Sequence, residues 1–331
     1  MKNKPKILLT GAGGNTGQVI AAELQKRGIP FVVMTHSESN KARFQKQGME
    51  VVSGDFDIPE TLELALSDIE KAYLVCTPDE KLVARETAFI AAAKRARVRH
   101  LIMCSAYLSG ENAESENLRS HGLIEKAVRE SGMDYTIIRP VGFMQTFTLF
   151  VWDMVQKANA ISLAAGDGGM ALIDVRDVAA VGVKVLTEPG HAGKVYDLTG
   201  PESLTMYRQA EILSKVLGRK IYYIPSTEAQ MEQVMKVLGV PETPSEHVQK
   251  VFKMQREHRI EMVLPTLQEL GIQPTPYEQF ARDYVSGITQ GGNSFPAPDT
   301  LFIRLFNAFG VFMVRMQVNQ TKRREARNAG A

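Results

Sequence analysis

The sequence has few cysteines, almost no net charge and no long apolar run. Cys76 and Cys104 are its only cysteines, which excludes a disulfide framework and a four-cysteine zinc site and favours a reducing compartment. A formal net charge of +2, from 39 basic and 37 acidic side chains, argues against a nucleic-acid binder. No apolar run approaches the roughly 20 residues that cross a bilayer, and the run near the N-terminus is too short for a signal peptide. We therefore expect a cytoplasmic protein.

The first half of the chain alternates short apolar runs with helical patterns. The runs predict six strands, at residues 6–10, 31–35, 49–55, 72–76, 100–105 and 134–140. Helical patterns lie between them, at residues 15–27, 60–68, 80–97 and 118–131. Apolar strands without polar alternation are typical of a parallel sheet that is covered on both faces. The sequence therefore predicts an α/β fold with a doubly wound parallel sheet.

A glycine-rich segment joins the first predicted strand to the first helix. It reads Gly-Ala-Gly-Gly-Asn-Thr-Gly over residues 11–17. Glycines permit a tight turn and a close approach to a pyrophosphate, and the helix N-terminus supplies amide donors. The segment predicts dinucleotide binding through Gly11, Gly14, Asn15, Thr16 and Gly17. The alternative is an ordinary glycine-rich turn.

The end of the second strand bears on the choice between NAD and NADP. A carboxylate immediately at this position would bind the ribose 2′-hydroxyl, but the sequence there is Thr35-His36-Ser37, and Glu38 is only nearby. His36, Ser37 and Lys41 are suited to a 2′-phosphate. We therefore favour NADP(H) and leave NAD(H) open. The alternative for His36 is a solvated loop histidine.

Polar residues follow three further strands at the edge where open α/β sheets bind ligands. Asp55 is suited to accept a hydrogen bond from an adenine amino group, with Phe56 beside the ring. The alternative for Asp55 is an acidic turn residue that caps the next helix. Thr77 and Ser105 follow the fourth and fifth strands and are also expected to lie near the cofactor. No metal site is predicted.

Several motifs together resemble those of the NmrA-like atypical short-chain dehydrogenases/reductases, and most of all their NAD(P)H:quinone oxidoreductase-like branch. They include TGAGGNTG (10–17), SGDFD (53–57), TIIRP with a following FM (136–144) and YDLTGPE (196–202). The resemblance covers about residues 6–285. It implies a Rossmann-like domain with a small substrate lobe, usually with NADP(H) as cofactor. It also implies that Pro140 and Phe143 lie beside the nicotinamide.

On this basis we expect residues 1–150 to form the NAD(P)-binding domain, with later segments returning to it. Residues 151–290 are expected to form a smaller C-terminal α/β lobe that binds the substrate. Residues 291–331 are expected to supply a linker, an amphipathic helix and a basic tail, as a helical C-terminal extension.

The candidate catalytic helix departs from the wider superfamily. The usual Tyr-x-x-x-Lys pair is replaced by His121 and Glu125, followed by Lys126, which resembles the quinone reductase-like branch. Residues four apart share a helix face, so we expect Glu125 to orient His121 or favour its protonated form, and a protonated His121 to assist an acceptor that gains charge. Tyr107 is a second candidate proton donor. The alternatives are a structural His–Glu pair and a tyrosine that lines the pocket.

Two functions remain open. The first is an NAD(P)H-dependent oxidoreductase that transfers a hydride to a quinone-like or other conjugated small-molecule acceptor. The second is a non-catalytic NADP(H)-binding redox sensor and regulator, which the missing Tyr-x-x-x-Lys pair favours.

Residues 299–331 lie outside the resemblance. Leu301, Leu305, Phe309, Phe312 and Met316 follow helical spacing, and Lys322, Arg323, Arg324 and Arg327 come after them. A wide apolar face with a basic cluster is typical of an interfacial helix on an anionic membrane. Residues 299–318 are thus expected to make a peripheral membrane contact or to self-associate.

Overall fold

The parallel sheet that the apolar runs predict is present in the structure, a computed structural model that describes residues 7–237 and 242–289. The seven strands of this sheet are β1 (Ile7–Leu9), β2 (Val32–Thr35), β3 (Glu50–Ser53), β4 (Lys71–Leu74), β5 (His100–Cys104), β6 (Asp134–Pro140) and β8 (Lys194–Leu198). They pair in the order β3-β2-β1-β4-β5-β6-β8, and every pair is parallel. Two short strands, β7 (Ala160–Ile161) and β9 (Tyr222–Tyr223), form a separate parallel pair.

The described residues also form twelve helices, some of which cover the two faces of the main sheet. They are α1 (Asn15–Lys26), α2 (Glu38–Lys46), α3 (Pro59–Ala65), α4 (Leu82–Arg95), α5 (Glu116–Glu130), α6 (Met144–Ala158), α7 (Val175–Thr187), α8 (Met206–Leu217), α9 (Glu228–Val237), α10 (Glu242–Arg256), α11 (Thr266–Glu269) and α12 (Tyr277–Thr289). The predicted α/β class with a Rossmann-like, doubly wound sheet is confirmed. The predicted helical extension beyond residue 290 lies outside the described residues.

The core of the sheet forms because its central strands β2, β1, β4 and β5 are apolar on both faces. On one face, side chains of α3, α4 and α5, such as Leu62, Phe89 and Ile124, pack with Leu74 and Leu101 of the strands. On the other face α1 packs against α7. Burial on both sides explains why these strands read as continuous apolar runs.

Two helices were missed by the sequence reading. Helix α2 has one buried residue, Phe44, so it lacks an apolar stripe. It begins because Ser37 is its N-cap: the Ser37 Oγ accepts the Asn40 N–H at 3.3 Å. Helix α6 follows Phe143 directly and ends at Asn159, whose φ of 56° is left-handed.

The chain divides into two compact units. The first comprises the described residues up to Val141 together with Val175–Leu198 and Pro265–Gln273. The second comprises Gly142–Asp174, Thr199–Leu264 and the described residues from Pro274 onward. Two later segments thus belong to the first unit. The predicted domain limits at residues 150 and 290 stay a prediction.

Candidate functional site

The glycine segment is closely packed against the end of β4. Gly11 has a left-handed φ of 59°, and a Cβ there would lie 2.5 Å from the Val75 Cγ1. A Cβ on Gly17 would lie 2.3 Å from the Gly11 carbonyl oxygen. Thr10 supports this contact, since its hydroxyl accepts the Val75 N–H at 2.8 Å and lies 2.9 Å from the Val75 carbonyl oxygen. Neither glycine position accepts a side chain without rearrangement.

The N-terminus of α1 opens directly from this loop. Gly14 is the N-cap residue and has no side chain with which to cap the helix. Its own N–H donates to the Gly11 carbonyl at 2.8 Å. The amides of Asn15, Thr16 and Gly17 follow in the first turn, where N–H groups have no intrahelical acceptor. This end of α1 is therefore suited to an anionic group such as a pyrophosphate.

A basic side chain that the sequence reading missed lies beside the loop. A Cβ built on Gly13 would lie 3.2 Å from a terminal nitrogen of Arg43, so the guanidinium of α2 reaches back to the glycine segment. The Arg43 guanidinium also stacks over the ring of Phe44, 4.7 Å from its centroid. Arg43 is visible in the sequence as a basic residue close to His36 and Lys41. Its position beside the glycine segment depends on helix α2, which no apolar stripe in the sequence indicates.

The predicted 2′-phosphate ligands occupy different surroundings. His36 is exposed at the end of β2. Lys41 lies 3.6 Å from Glu38, while the Ser37 hydroxyl serves as the helix cap and lies 2.9 Å from the Ser39 hydroxyl. Ser37 is thus partly committed to local structure, and the basic groups of His36, Lys41 and Arg43 remain the candidates for this end of the site.

The loop after β3 is ordered by its own hydrogen bonds. One carboxylate oxygen of Asp55 accepts the Asp57 N–H at 2.9 Å, and the Asp55 N–H donates to the Thr61 hydroxyl at 2.9 Å. Phe56 is half-buried and packs against Phe89, with ring centroids 5.6 Å apart. Asp55 therefore has a turn-forming role, while its predicted contact with adenine stays a prediction. Thr77, after β4, is exposed.

Glu125 is the centre of a buried polar cluster. Its carboxylate accepts hydrogen bonds from Ser105 and Ser109, both at 2.6 Å, from Arg129 at 2.9 Å, and from Arg139 on β6. Burial alone would raise the pKa of Glu125, but the hydrogen bonds from Arg139 and the two serines lower it to about 2. Glu125 is therefore a carboxylate at neutral pH. A cavity of about 310 Å³ borders this cluster.

The expected action of Glu125 on His121 stays a prediction. Helical spacing places the two residues on one face, but the hydrogen bonds that Glu125 accepts come from the serines and arginines. The reason is tertiary: the guanidinium of Arg139, on the neighbouring strand, is a stronger partner for a buried carboxylate than an imidazole. Ser105, predicted to contact the cofactor, likewise donates its hydroxyl to Glu125.

Tyr107 lies between Ser105 and Ser109 in the chain, and His121 lies four residues before Glu125 on α5. The N–H of Tyr107 donates to the Pro140 carbonyl at 2.9 Å, which holds the loop after β5 against the end of β6. Burial, and then the charge of Asp197, raise the pKa of the Tyr107 hydroxyl. His121 is half-buried on α5. Phe143 belongs to the second unit, where it pairs with Ile173.

Two negative findings apply to the described ranges. Among residues 7–237 and 242–289, no group of three or more His, Cys, Asp or Glu side chains is placed to hold a metal ion. No helix in those ranges has both the length and the apolar character needed to cross a membrane.

Comparisons with known proteins give a consistent family and fold. The model of the NmrA-like family matches residues 3–276. An NAD(P)H azoreductase from Xenophilus azovorans is 29% identical over 283 residues, which are 85% of this chain and 98% of that protein. A (4-alkanoyl-5-oxo-2,5-dihydrofuran-3-yl)methyl phosphate reductase from Streptomyces griseus is 33% identical over 284 residues, 84% of this chain and 97% of the relative.

Two solved structures share the fold. An NADPH-dependent quinone oxidoreductase from Escherichia coli, complexed with NADPH, superposes with a TM-score of 0.76 at 24% identity and covers 84% of this chain and 99% of its own. NmrA, a negative transcriptional regulator, superposes with a TM-score of 0.70 at 17% identity and covers 87% of this chain and 98% of its own.

Proposed function

The chain belongs to the NmrA-like family, and from that premise we propose that it is an NAD(P)H-dependent oxidoreductase. The acceptor is a quinone-like or other conjugated small molecule. The observation that carries this proposal is the glycine segment, in which the positions of Gly11 and Gly17 exclude a Cβ and the first turn of α1 is open. Two relatives that match 85% and 84% of this chain and are named as reductases support it.

The residues present fit a nicotinamide dinucleotide. The glycine segment and the first amides of α1 would hold its pyrophosphate, and Asp55 and Phe56 would border its adenine. Thr77, Ser105, Pro140 and Phe143 complete the proposed set. When bound, such a cofactor supplies a hydride to the acceptor, and the protein binds and orients the reactants and excludes water.

Arg43 supports a preference for NADPH. A guanidinium binds phosphate oxygens through two parallel donors, and this one lies beside Gly13. We expect Arg43→Ala to raise the Kd for NADPH about tenfold and to leave the Kd for NADH unchanged. Lys46→Ala, which removes an exposed positive charge from the same helix, is the matched control. Equal affinity of the wild-type protein for NADH and NADPH would contradict the preference.

His121 and Tyr107 are the proposed proton donors to an acceptor that gains charge. Glu125 contributes by holding the loop that carries Tyr107, through its bonds to Ser105 and Ser109. A general acid contributes roughly 10²-fold or more to a rate, so we expect His121→Ala to lower kcat about 100-fold while NADPH still binds. Glu130→Ala, at an exposed position on the same helix, should have no effect.

The decisive experiment is NADPH oxidation in the presence of quinones, azo and triphenylmethane dyes, and enones. Turnover of any of these acceptors, with loss in His121→Ala, is the expected result. Tight NADPH binding without turnover of any acceptor would instead favour the second candidate, a non-catalytic NADP(H)-binding sensor. The observation in favour of that candidate is the absence of the Tyr-x-x-x-Lys pair on α5.

The predicted contact through residues 299–318 lies outside the described residues and is retained as part of the proposal. Deleting residues 299–331 should abolish flotation with anionic liposomes if the segment binds membranes, and should lower the sedimentation coefficient if it self-associates. Equal behaviour of the full and shortened chains in both experiments would remove the proposed contact. The cytoplasmic location stays a prediction.

A further inference from the structure

One guanidinium joins the loops that follow β3 and β4. Arg85, in the first half of α4, donates from Nε and from one terminal nitrogen to the two carboxylate oxygens of Asp57, at 2.9 and 2.7 Å. Its other terminal nitrogen donates to Asp79 at 2.6 Å. Asp57 belongs to the loop after β3, and Asp79 belongs to the loop after β4. The contact is a three-residue bridge in which every arm is a charge-assisted hydrogen bond.

The bridge spans a gap that the sheet itself does not close. In the strand order, β2 and β1 lie between β3 and β4. Three inter-strand spacings amount to about 14 Å, so the two loops are not neighbours through strand pairing. The Arg85 side chain is only 18% exposed, whereas Asp57 and Asp79 are 42% and 43% exposed. Arg85 is therefore the most buried member of the bridge.

Helix α4 holds two consecutive residues of the loop after β3. Arg85 binds Asp57, and Phe89, one turn further along the same face, packs against Phe56. The hold extends to Asp55, because its carboxylate accepts the Asp57 N–H at 2.9 Å. The hydrogen bond from Arg85, together with the charges of Arg85 and of Lys81, lowers the pKa of Asp57 to about 2. The bridge therefore stays intact over the physiological pH range.

We propose that Arg85 is a positioning residue that fixes the adenine end of the cofactor site by tying the loops after β3 and β4 together. The inference rests on the proposed NAD(P)H-binding function and adds to it a residue that does not touch the cofactor. Its effect belongs to cofactor binding: loss of the bridge removes the anchor of Asp57, whose N–H holds the Asp55 carboxylate, and leaves the nicotinamide end untouched.

The test compares the wild-type protein with Arg85→Ala, Arg85→Lys and Asp79→Asn by isothermal titration calorimetry. The probes are NADPH, 2′,5′-ADP, which carries only the adenine end, and reduced nicotinamide mononucleotide, which carries only the other end. We expect Arg85→Ala to weaken the binding of NADPH and of 2′,5′-ADP about tenfold each and to leave the binding of the mononucleotide unchanged. The variants Arg85→Lys and Asp79→Asn keep part of the bridge, and their affinity for NADPH and 2′,5′-ADP should fall about threefold.

The matched control is Arg95→Ala. Arg95 lies on the same helix as Arg85 and pairs with Glu63 of α3, at exposed positions away from the two loops. It should leave all three affinities within twofold. A thermal melting curve of each variant shows what fraction is folded at the titration temperature. Affinities are compared only between variants that are equally folded there.

Unchanged 2′,5′-ADP affinity in a folded Arg85→Ala protein would overturn the inference, and so would an equal loss for both fragments. If the wild-type protein bound neither NADPH nor 2′,5′-ADP, the proposed function itself would fail and this inference with it. Loss of only 2′,5′-ADP and NADPH affinity supports both.

Discussion

At the scale of single residues, Glu125 takes hydrogen-bond partners from other elements of the fold as well as from its own helix. Its carboxylate is about 1% exposed and accepts bonds from two serines and two arginines. Removing one charged member of a buried cluster leaves the opposite charges buried without a partner, which destabilises the fold. Glu125 therefore serves first to fix the loop after β5 and the end of β6.

We expect Glu125→Ala to lower the free energy of unfolding by about 3 kcal/mol. The pKa of Glu125 is lowered from 4.5 to about 2, so its contribution is present above pH 4.5 and is lost as the pH falls towards 2. Urea unfolding at pH 7 and pH 3 measures both effects. Glu130→Ala is the control, and equal stability of the two variants at pH 7 would contradict this role.

A second residue-scale prediction concerns the other ends of the strands, near the start of β5 and β6. The Nε2 of His100 lies 2.8 Å from the Thr136 hydroxyl, which donates to the His191 carbonyl at 2.7 Å. Because the hydroxyl has one proton and gives it to that carbonyl, His100 is the donor. Burial, and after it the charge of Lys71, lowers the pKa of His100, and the charge of Asp134 opposes this shift. Burial, and after it the charge of Lys184, lowers the pKa of His191.

The unfolded chain therefore binds protons at these histidines at a higher pH than the folded protein. The free energy of unfolding should fall as the pH drops below about 6.5. Urea unfolding from pH 8 to pH 5 measures the slope, which should be shallower in His100→Gln than in the wild-type protein. A slope that His100→Gln leaves unchanged would refute this assignment.

At the scale of secondary-structure elements, α5 is held by a close approach of backbones. A Cβ on Gly122 would lie 2.3 Å from the backbone carbon of Gly110. Glycine was visible at this position in the sequence, but its purpose was not, because the loop that it contacts is twelve residues away in the chain. The contact fixes α5, which carries both His121 and Glu125.

We expect Gly122→Ala to destabilise the fold by about 1–3 kcal/mol, because the opposing atoms are backbone and cannot move aside. Gly182→Ala on α7 is the matched control. There a Cβ would meet the end of the flexible Ile20 side chain at 2.8 Å, and alanine gains up to about 1 kcal/mol of helix propensity. Chemical denaturation compares the two variants, and an equal effect would contradict the argument.

At the scale of the whole molecule, the proposed cofactor-phosphate and adenine contacts lie within the first unit. Hydrogen exchange should therefore slow on addition of NADPH in residues 11–17 and 54–58 and remain unchanged in α8 and β9. A ligand at 100 times its Kd adds about 2.7 kcal/mol to the stability of the state that it binds. The measurement is exchange mass spectrometry with and without NADPH, and uniform protection along the chain would contradict a localised site.

The sequence by itself determined the sheet and the glycine segment. Apolar runs buried on two faces have few other structures open to them, and Gly11 and Gly17 occupy a strand–helix junction that is local in the chain. Only the tertiary structure decided which polar groups meet. Arg85 reaches Asp57 across 28 positions of sequence, and Arg139 on β6 reaches Glu125 on α5. These contacts depend on which strands and helices pack side by side. The sequence pattern of a single segment does not indicate which other segments will pack against it.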